Sequence, residues 1–153
     1  MDKNKTPGYI VNFSNNNYSN TSIVVQFTVF TNEKYLSSLL NTLAENNLNI
    51  SAYYLNTEDK KVKFVFIVGE DNIQSSSDVN ITRNILRQNK FEFEESKVIR
   101  LSNLDNFSSL SYHYNKLIKT LTVYNSYIAS NGSIIYETCC PTKTIKVLNE
   151  LFQ

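Results

Sequence analysis

IVVQFTVFTNEKYLSSLLNTLAENNLNISAYYL, residues 23–55, changes its hydrophobic period twice. Ile23 to Phe30 is β-branched and aromatic, with Val25, Phe27 and Val29 on one face and Gln26 and Thr28 on the other. That alternation reads as a strand with one face in a core. Leu36, Leu39, Leu40 and Leu43 then recur at i, i+3, i+4 and i+7, the stripe of an amphipathic helix that closes near Asn46-Asn47. Leu48 to Leu55 returns to strand character, so the stretch predicts strand, helix, strand.

The pattern continues outward. Val62 to Val68 is a further strand, joined through Asn56 to Lys60 by a hairpin with Glu58-Asp59-Lys60 at its tip. Asp78 is placed to cap a second helix with the stripe Ile81, Ile85 and Leu86, which Gln88-Asn89-Lys90 closes before a strand from Phe91 to Leu101. The order βαββαβ is that of a ferredoxin-like unit. A shorter second series follows. Tyr114, Leu117, Ile118 and Leu121 form a helical stripe, Tyr124 to Ser130 a strand, Asn131-Gly132 a type I′ turn and Ser133 to Cys140 the returning strand. Pro141 then opens a last helix carrying Ile145, Leu148, Leu151 and Phe152. No room is left for a final strand, and Lys97 to Leu104 must serve as the first, so the two repeats share or couple the middle of a sheet. The expected fold is α+β: two ferredoxin-like units in tandem, the second truncated, with antiparallel sheets and helices on one face. The expected division is an Asn-rich flexible arm over 1–22, a first unit over 23–101 and a second over 102–153.

Composition narrows the function. The chain has 153 residues, 41% of them apolar, with no apolar run approaching the ~18 residues of a membrane span. The polar start Met1-Asp2-Lys3-Asn4-Lys5 is unlike a secretory signal, which leads to a cytoplasmic assignment without membrane attachment. A net charge of +1 argues against nucleic acid as partner. Lys61 to Phe66 has a faint likeness to an RNA-stacking strand, but Phe64 and Phe66 read better as core. Three glycines and no GxGxxG or GxxxxGK[ST] exclude nucleotide binding through such loops. His113, the one histidine, reads as a surface residue on the third helix. Cys139 and Cys140 read as free thiols, because a disulfide between strand neighbours is strained. Glu92, Glu94 and Glu95 read as a solvated strand face. The expectation is therefore no catalytic residue, no metal site, no cofactor and no enzyme activity.

Leu43-Ala44-Glu45-Asn46-Asn47-Leu48-Asn49-Ile50 resembles the LAExxINI segment of ACT domains, small regulatory modules that bind amino acids. The second half looks like the same module, with YNSYIAS, Asn131-Gly132 and a strand running into PTKTIKVLNEL, similar to the family's DDPEKAIEVLKE ending. The resemblance covers residues 23 to 152 as a tandem pair. It implies a ligand site in the loop between the first strand and first helix of each unit: Thr31, Asn32, Glu33, Lys34 and Tyr35 in one, and Asp105, Asn106, Phe107, Ser108 and Ser109 in the other. Asn49 and Asn125, equivalent in one register of the repeats, join this set. A helix entrance offers backbone N–H groups to a carboxylate, which gives such a loop a physical reason to hold an amino acid. Both loops depart from the Pro-Gly common in the family, and the acidic Glu33 and Asp105 would repel a ligand carboxylate. The implied function is a non-catalytic regulatory module sensing an amino acid or similar metabolite by population shift and acting on a separate protein target. Tyr53, Tyr54, Tyr124 and Tyr127 on the second strands suit a homodimer interface. The alternative is a protein-interaction or structural dimerisation module whose ligand loops have decayed.

Overall fold

The computed structural model describes residues 20–71, 73–102 and 108–151. Its elements are β1 (Asn20–Asn32), α1 (Glu33–Glu45), β2 (Ile50–Glu58), β3 (Lys61–Val68), α2 (Ser76–Gln88), β4 (Glu92–Ser102), α3 (Ser108–Ile118), β5 (Val123–Ile128), β6 (Ile134–Thr138) and α4 (Pro141–Glu150). The fold is α+β and ferredoxin-like, as the period changes predict. The expected arm lies outside the described residues up to residue 19, and strand β1 begins at Asn20.

The chain packs into two compact units, with residues 25–96 in the first and residues 20–24 and 97–151 in the second. In the first unit the strand order is β2-β3-β1-β4. β1 and β3 pair antiparallel with Phe27 opposite Phe66, and β2 and β3 with Tyr54 opposite Val65. In the second unit the order is β5-β6-β4-β1, with β4 and β6 pairing antiparallel and Ile99 opposite Tyr136. There β4 takes the part of first strand, and residues 20–24, which precede β4 in sequence, take the part of the fourth. β1 has 13 residues and β4 has 11, about twice the usual strand length, so each can contribute residues to both units.

Each unit has its own core on the helix side. In the first, Phe27 and Val29 of β1 and Val62, Phe64, Phe66 and Val68 of β3 meet Leu36, Leu39 and Leu43 of α1 and Val79, Ile85 and Leu86 of α2. The rings of Phe27 and Phe66 stack 5.5 Å apart, and those of Phe64 and Phe66 are 4.9 Å apart. In the second, Ile99, Leu101, Ile134 and Tyr136 pack with Leu117, Ile145 and Leu148. Gln26 and Thr28, on the other face of β1, are buried as well, as are Val65 and Ile67. Burial on both faces explains why β3 reads as an almost unbroken apolar run.

Several local expectations are corrected. Leu40, fourth in the α1 stripe, is exposed, because the core contact is made by Leu36, Leu39 and Leu43 alone. α2 starts earlier than expected: Ser75, not Asp78, is its N-cap, and Ser75 Oγ accepts the Asp78 N–H at 3.1 Å. Its buried positions are Val79, Thr82, Ile85 and Leu86, while Ile81 is exposed. Thr82 satisfies its hydroxyl by donating to the Asp78 carbonyl at 2.8 Å, which makes a threonine tolerable there. In α3, Tyr114 and Ile118 are exposed and Leu117 is buried. The inward line runs through Leu110, His113 and Leu117, so His113 is an interior residue, only 2% exposed.

The type I′ turn expected at Asn131-Gly132 is found at the other hairpin instead. Asp59 (φ 50°) and Lys60 (φ 65°) are both left-handed, the backbone of a two-residue I′ turn between paired Glu58 and Lys61. At Asn131-Gly132 only the glycine has positive φ, 82°. The Gly132 N–H donates to the Ala129 carbonyl at 3.0 Å and the Ala129 N–H to the Ser133 carbonyl at 2.8 Å. This is a three-residue loop with a glycine bulge, and Asn131 Oδ1 closes it by accepting the Ser133 N–H at 3.0 Å.

Candidate functional site

The entrance of α1 is built where β1 ends. Asn32 is its N-cap, with extended backbone (φ −127°, ψ 172°), and its Oδ1 accepts the Tyr35 N–H at 3.0 Å. One of the orphan amides expected at a helix start is thereby occupied by the protein itself. Glu33 stands in the first turn, where a negative charge complements the helix dipole. Glu33, Lys34 and Tyr35 are exposed and Thr31 is half-buried.

A cleft of about 600 Å³ lies against this entrance, wholly within the first unit. Thr31 and Tyr35 line it from the expected set, while Asn32, Glu33 and Lys34 do not. The rest of its wall comes from residues that the sequence reading did not select. Phe30 and Phe91 add aromatic surface, Ser38 and Thr42 lie along α1, and Lys90 and Glu92 bring charges of opposite sign. Lys90 follows the Asn89 C-cap of α2 in left-handed backbone (φ 57°), and its N–H bonds the Arg87 carbonyl at 3.1 Å. That turn sends the chain into β4 and places Lys90, Phe91 and Glu92 at the cleft. A second cleft of about 660 Å³ shares Phe30, Thr31 and Glu92 and extends toward Asp59, Lys61 and Lys63 of the β2–β3 hairpin.

The other expected residues are elsewhere. Asn49 follows α1 at its far end, some ~20 Å of helix rise from the entrance. Its carbonyl accepts the Gly69 N–H at 2.8 Å. Asn125 is on β5 of the second unit, and its Nδ2 donates to Glu137 Oε2 at 2.8 Å. Asp105, Asn106 and Phe107 lie outside the described residues, and Ser108 opens α3. Among the described residues no three His, Cys, Asp or Glu side chains gather as a metal site, and no helix is long and apolar enough to cross a membrane. Phe64 and Phe66, the residues of the RNA-like strand, are core residues and present no ring for base stacking.

No protein-family model matches the chain, and no curated protein matches its sequence. Solved structures do match in fold. Protein BT0572 from Bacteroides thetaiotaomicron is 21% identical, with a TM-score of 0.70 over 84% of this chain and 88% of that one. The regulatory subunit of aspartate kinase from Thermus thermophilus, in its ligand-free form, is 10% identical, with a TM-score of 0.60 over 85% and 93%. The corresponding subunit from Thermus flavus is 10% identical, with a TM-score of 0.57 over 89% and 97%. The chain thus has the ACT-type fold that its sequence resembles, in the form found in these regulatory subunits.

Proposed function

We propose that this protein is a non-catalytic regulatory module that takes an amino acid or related small metabolite at the α1 entrance of its first unit. The observation that carries this reading is the cleft beside Tyr35, where aromatic walls adjoin Lys90 and Glu92. A zwitterion presents a carboxylate and an ammonium a few ångströms apart, and a site with one cation and one anion meets both. Lys90 then takes the carboxylate role that the sequence reading gave to the helix amides, which resolves the difficulty of Glu33. Thr31 and Tyr35 contribute contact, and Asn32, Glu33 and Lys34 hold the entrance. Asp105, Asn106, Phe107 and Ser108, with Asn125, are assigned to a second ligand site, and Asn49 to a ligand held against a neighbouring copy in a homodimer. Fold likeness to regulatory subunits supports a role in control of a separate protein target in the cytoplasm, exerted by a shift between arrangements that bind the ligand unequally.

A thermal-shift panel of amino acids on the full chain tests this. A ligand at about 100 times its dissociation constant adds roughly 2.7 kcal/mol of stability. Tyr35→Ala and Lys90→Ala should each reduce that shift without lowering the melting temperature of the unliganded protein by more than a degree or two, since both side chains are exposed. A flat panel favours the second reading, an interaction or dimerisation module. Tyr53 and Leu55 on β2, 60% and 50% exposed, support it as an apolar contact surface.

A further inference from the structure

Asn131-Gly132 is the one place in the chain where glycine follows asparagine, and Asn131 is exposed in the loop between β5 and β6 of the second unit. Ser133 holds the asparagine side chain there. Asn131 Oδ1 accepts the Ser133 N–H at 3.0 Å and the Ser133 hydroxyl at 2.6 Å, so two donors from one residue converge on one carbonyl oxygen. Ser133 is only 3% exposed, and its Oγ lies 3.2 Å from that of Ser102, which is also buried. Because the Ser133 proton goes to Asn131, Ser102 is the donor in that second contact, and the line of hydroxyls fixes the direction of both bonds. Gly132 carries no side chain to shield its nitrogen, and a Cβ placed on it would meet nothing within 4 Å.

We propose that Asn131-Gly132 is a site of self-modification, at which the Gly132 nitrogen attacks Asn131 Cγ and the asparagine becomes aspartate or isoaspartate. In the first step a bond forms between Gly132 N and Asn131 Cγ and the Cγ–Nδ2 bond breaks. Nδ2 leaves as ammonia, carrying the proton lost from Gly132 N, and a cyclic imide remains. In the second step water opens the imide at either carbonyl. Opening at Cγ gives aspartate. Opening at the main-chain carbon of residue 131 gives isoaspartate, in which the chain runs on through the former side chain.

The placing of Ser133 favours the first step. As nitrogen adds to Cγ, negative charge develops on Oδ1, the atom that both Ser133 donors already reach, so the pair acts as an oxyanion hole. Isoaspartate then alters the loop itself. It puts an extra main-chain carbon between Ala129 and Ser133, so the bonds from the Ala129 N–H to the Ser133 carbonyl and from the Gly132 N–H to the Ala129 carbonyl no longer close together. The adjoining Ile128–Ile134 pair lies on β5, an edge strand with one partner, and is the first to part. The modification is a slow, irreversible mark that loosens β5 as the protein ages.

Full-length protein incubated for weeks at neutral pH, then digested and followed by mass spectrometry with isoaspartyl methyltransferase labelling, tests the assignment. The expected product has OH in place of NH2 within the peptide holding residue 131, most of it isoaspartate, and Asn131 converts ahead of every other asparagine. Ser133→Ala should slow that conversion at least roughly tenfold in the folded protein and leave it unchanged in urea, where the hydroxyl is no longer placed. A serine that only restrains the loop would give the opposite result, because its loss frees Asn131 to react. Asn131 intact while other asparagines convert, or a folded Ser133→Ala protein that converts as fast as wild type or faster, would each overturn the proposal.

Discussion

Gln74 shows how much one side chain decides. It is buried between the start of α2 and the strands, and its Oε1 accepts the Val25 N–H at 2.7 Å. Its Nε2 donates to the carbonyls of Val25 at 2.9 Å and Val68 at 3.1 Å. A side-chain amide thus supplies β1 with the ladder partner that β3 does not provide beyond the Phe27–Phe66 pair. Gln74→Ala orphans all three backbone groups and should cost about 2–4 kcal/mol, read as a lower denaturation midpoint at unchanged slope. Nothing in the sequence marked this glutamine, because its role depends on what the fold puts beside it.

His113 belongs to the same scale. Burial lowers its pKa from 6.5. The folded protein therefore holds that proton less tightly than the unfolded chain, and between the two values the unfolded chain binds more protons. Stability is fully present above about pH 6.5 and is lost as pH falls through the window below it. Melting curves from pH 7.5 to 5 should fall more steeply for wild type than for His113→Gln. Parallel profiles would show that the histidine is not the titrating group.

At the scale of elements, hydrophobic period identified helices and strands well but located their ends and inward faces poorly. The α2 cap moved from Asp78 to Ser75, and the α3 stripe rotated to include a histidine. Both errors have one cause. A serine, threonine or histidine can occupy an inward position when a local hydrogen bond or a gap in the core suits it, and hydrophobicity alone scores such residues as outward. Turn type was misread for a related reason. Asn-Gly favours a I′ turn in isolation, but the strand register around Ala129 and Ser133 requires one residue more. The I′ turn is instead imposed on Asp59-Lys60, where a lysine bears the left-handed conformation. Lys60→Gly relieves it and should stabilise the protein by about 0.5–1 kcal/mol, a rise of roughly 1–4 °C in melting temperature.

At the scale of the whole molecule, the second unit completes itself with residues that precede the first. Ile23 packs on the core of Ile99, Leu101 and Tyr136, although more than 70 residues separate Ile23 from Ile99 in sequence. Removing residues 1–24 should strip amide-exchange protection from residues 98–101 of β4 while the β2–β3 hairpin keeps its own. Equal loss in both would mean that the division into units does not govern local stability. The cleft was half legible in the same way. Thr31 and Tyr35 follow from the strand-to-helix junction, but Lys90, Phe91 and Glu92 arrive from the end of α2, sixty residues downstream.

The sequence by itself determined the elements, their βαββαβ order and the ACT-type resemblance, because period and composition are local properties of the chain. Only the tertiary structure decided which strand completes the second unit and which charges stand beside Tyr35. Those are matters of pairing between distant segments, and the energy that selects a partner is released only when both are in place.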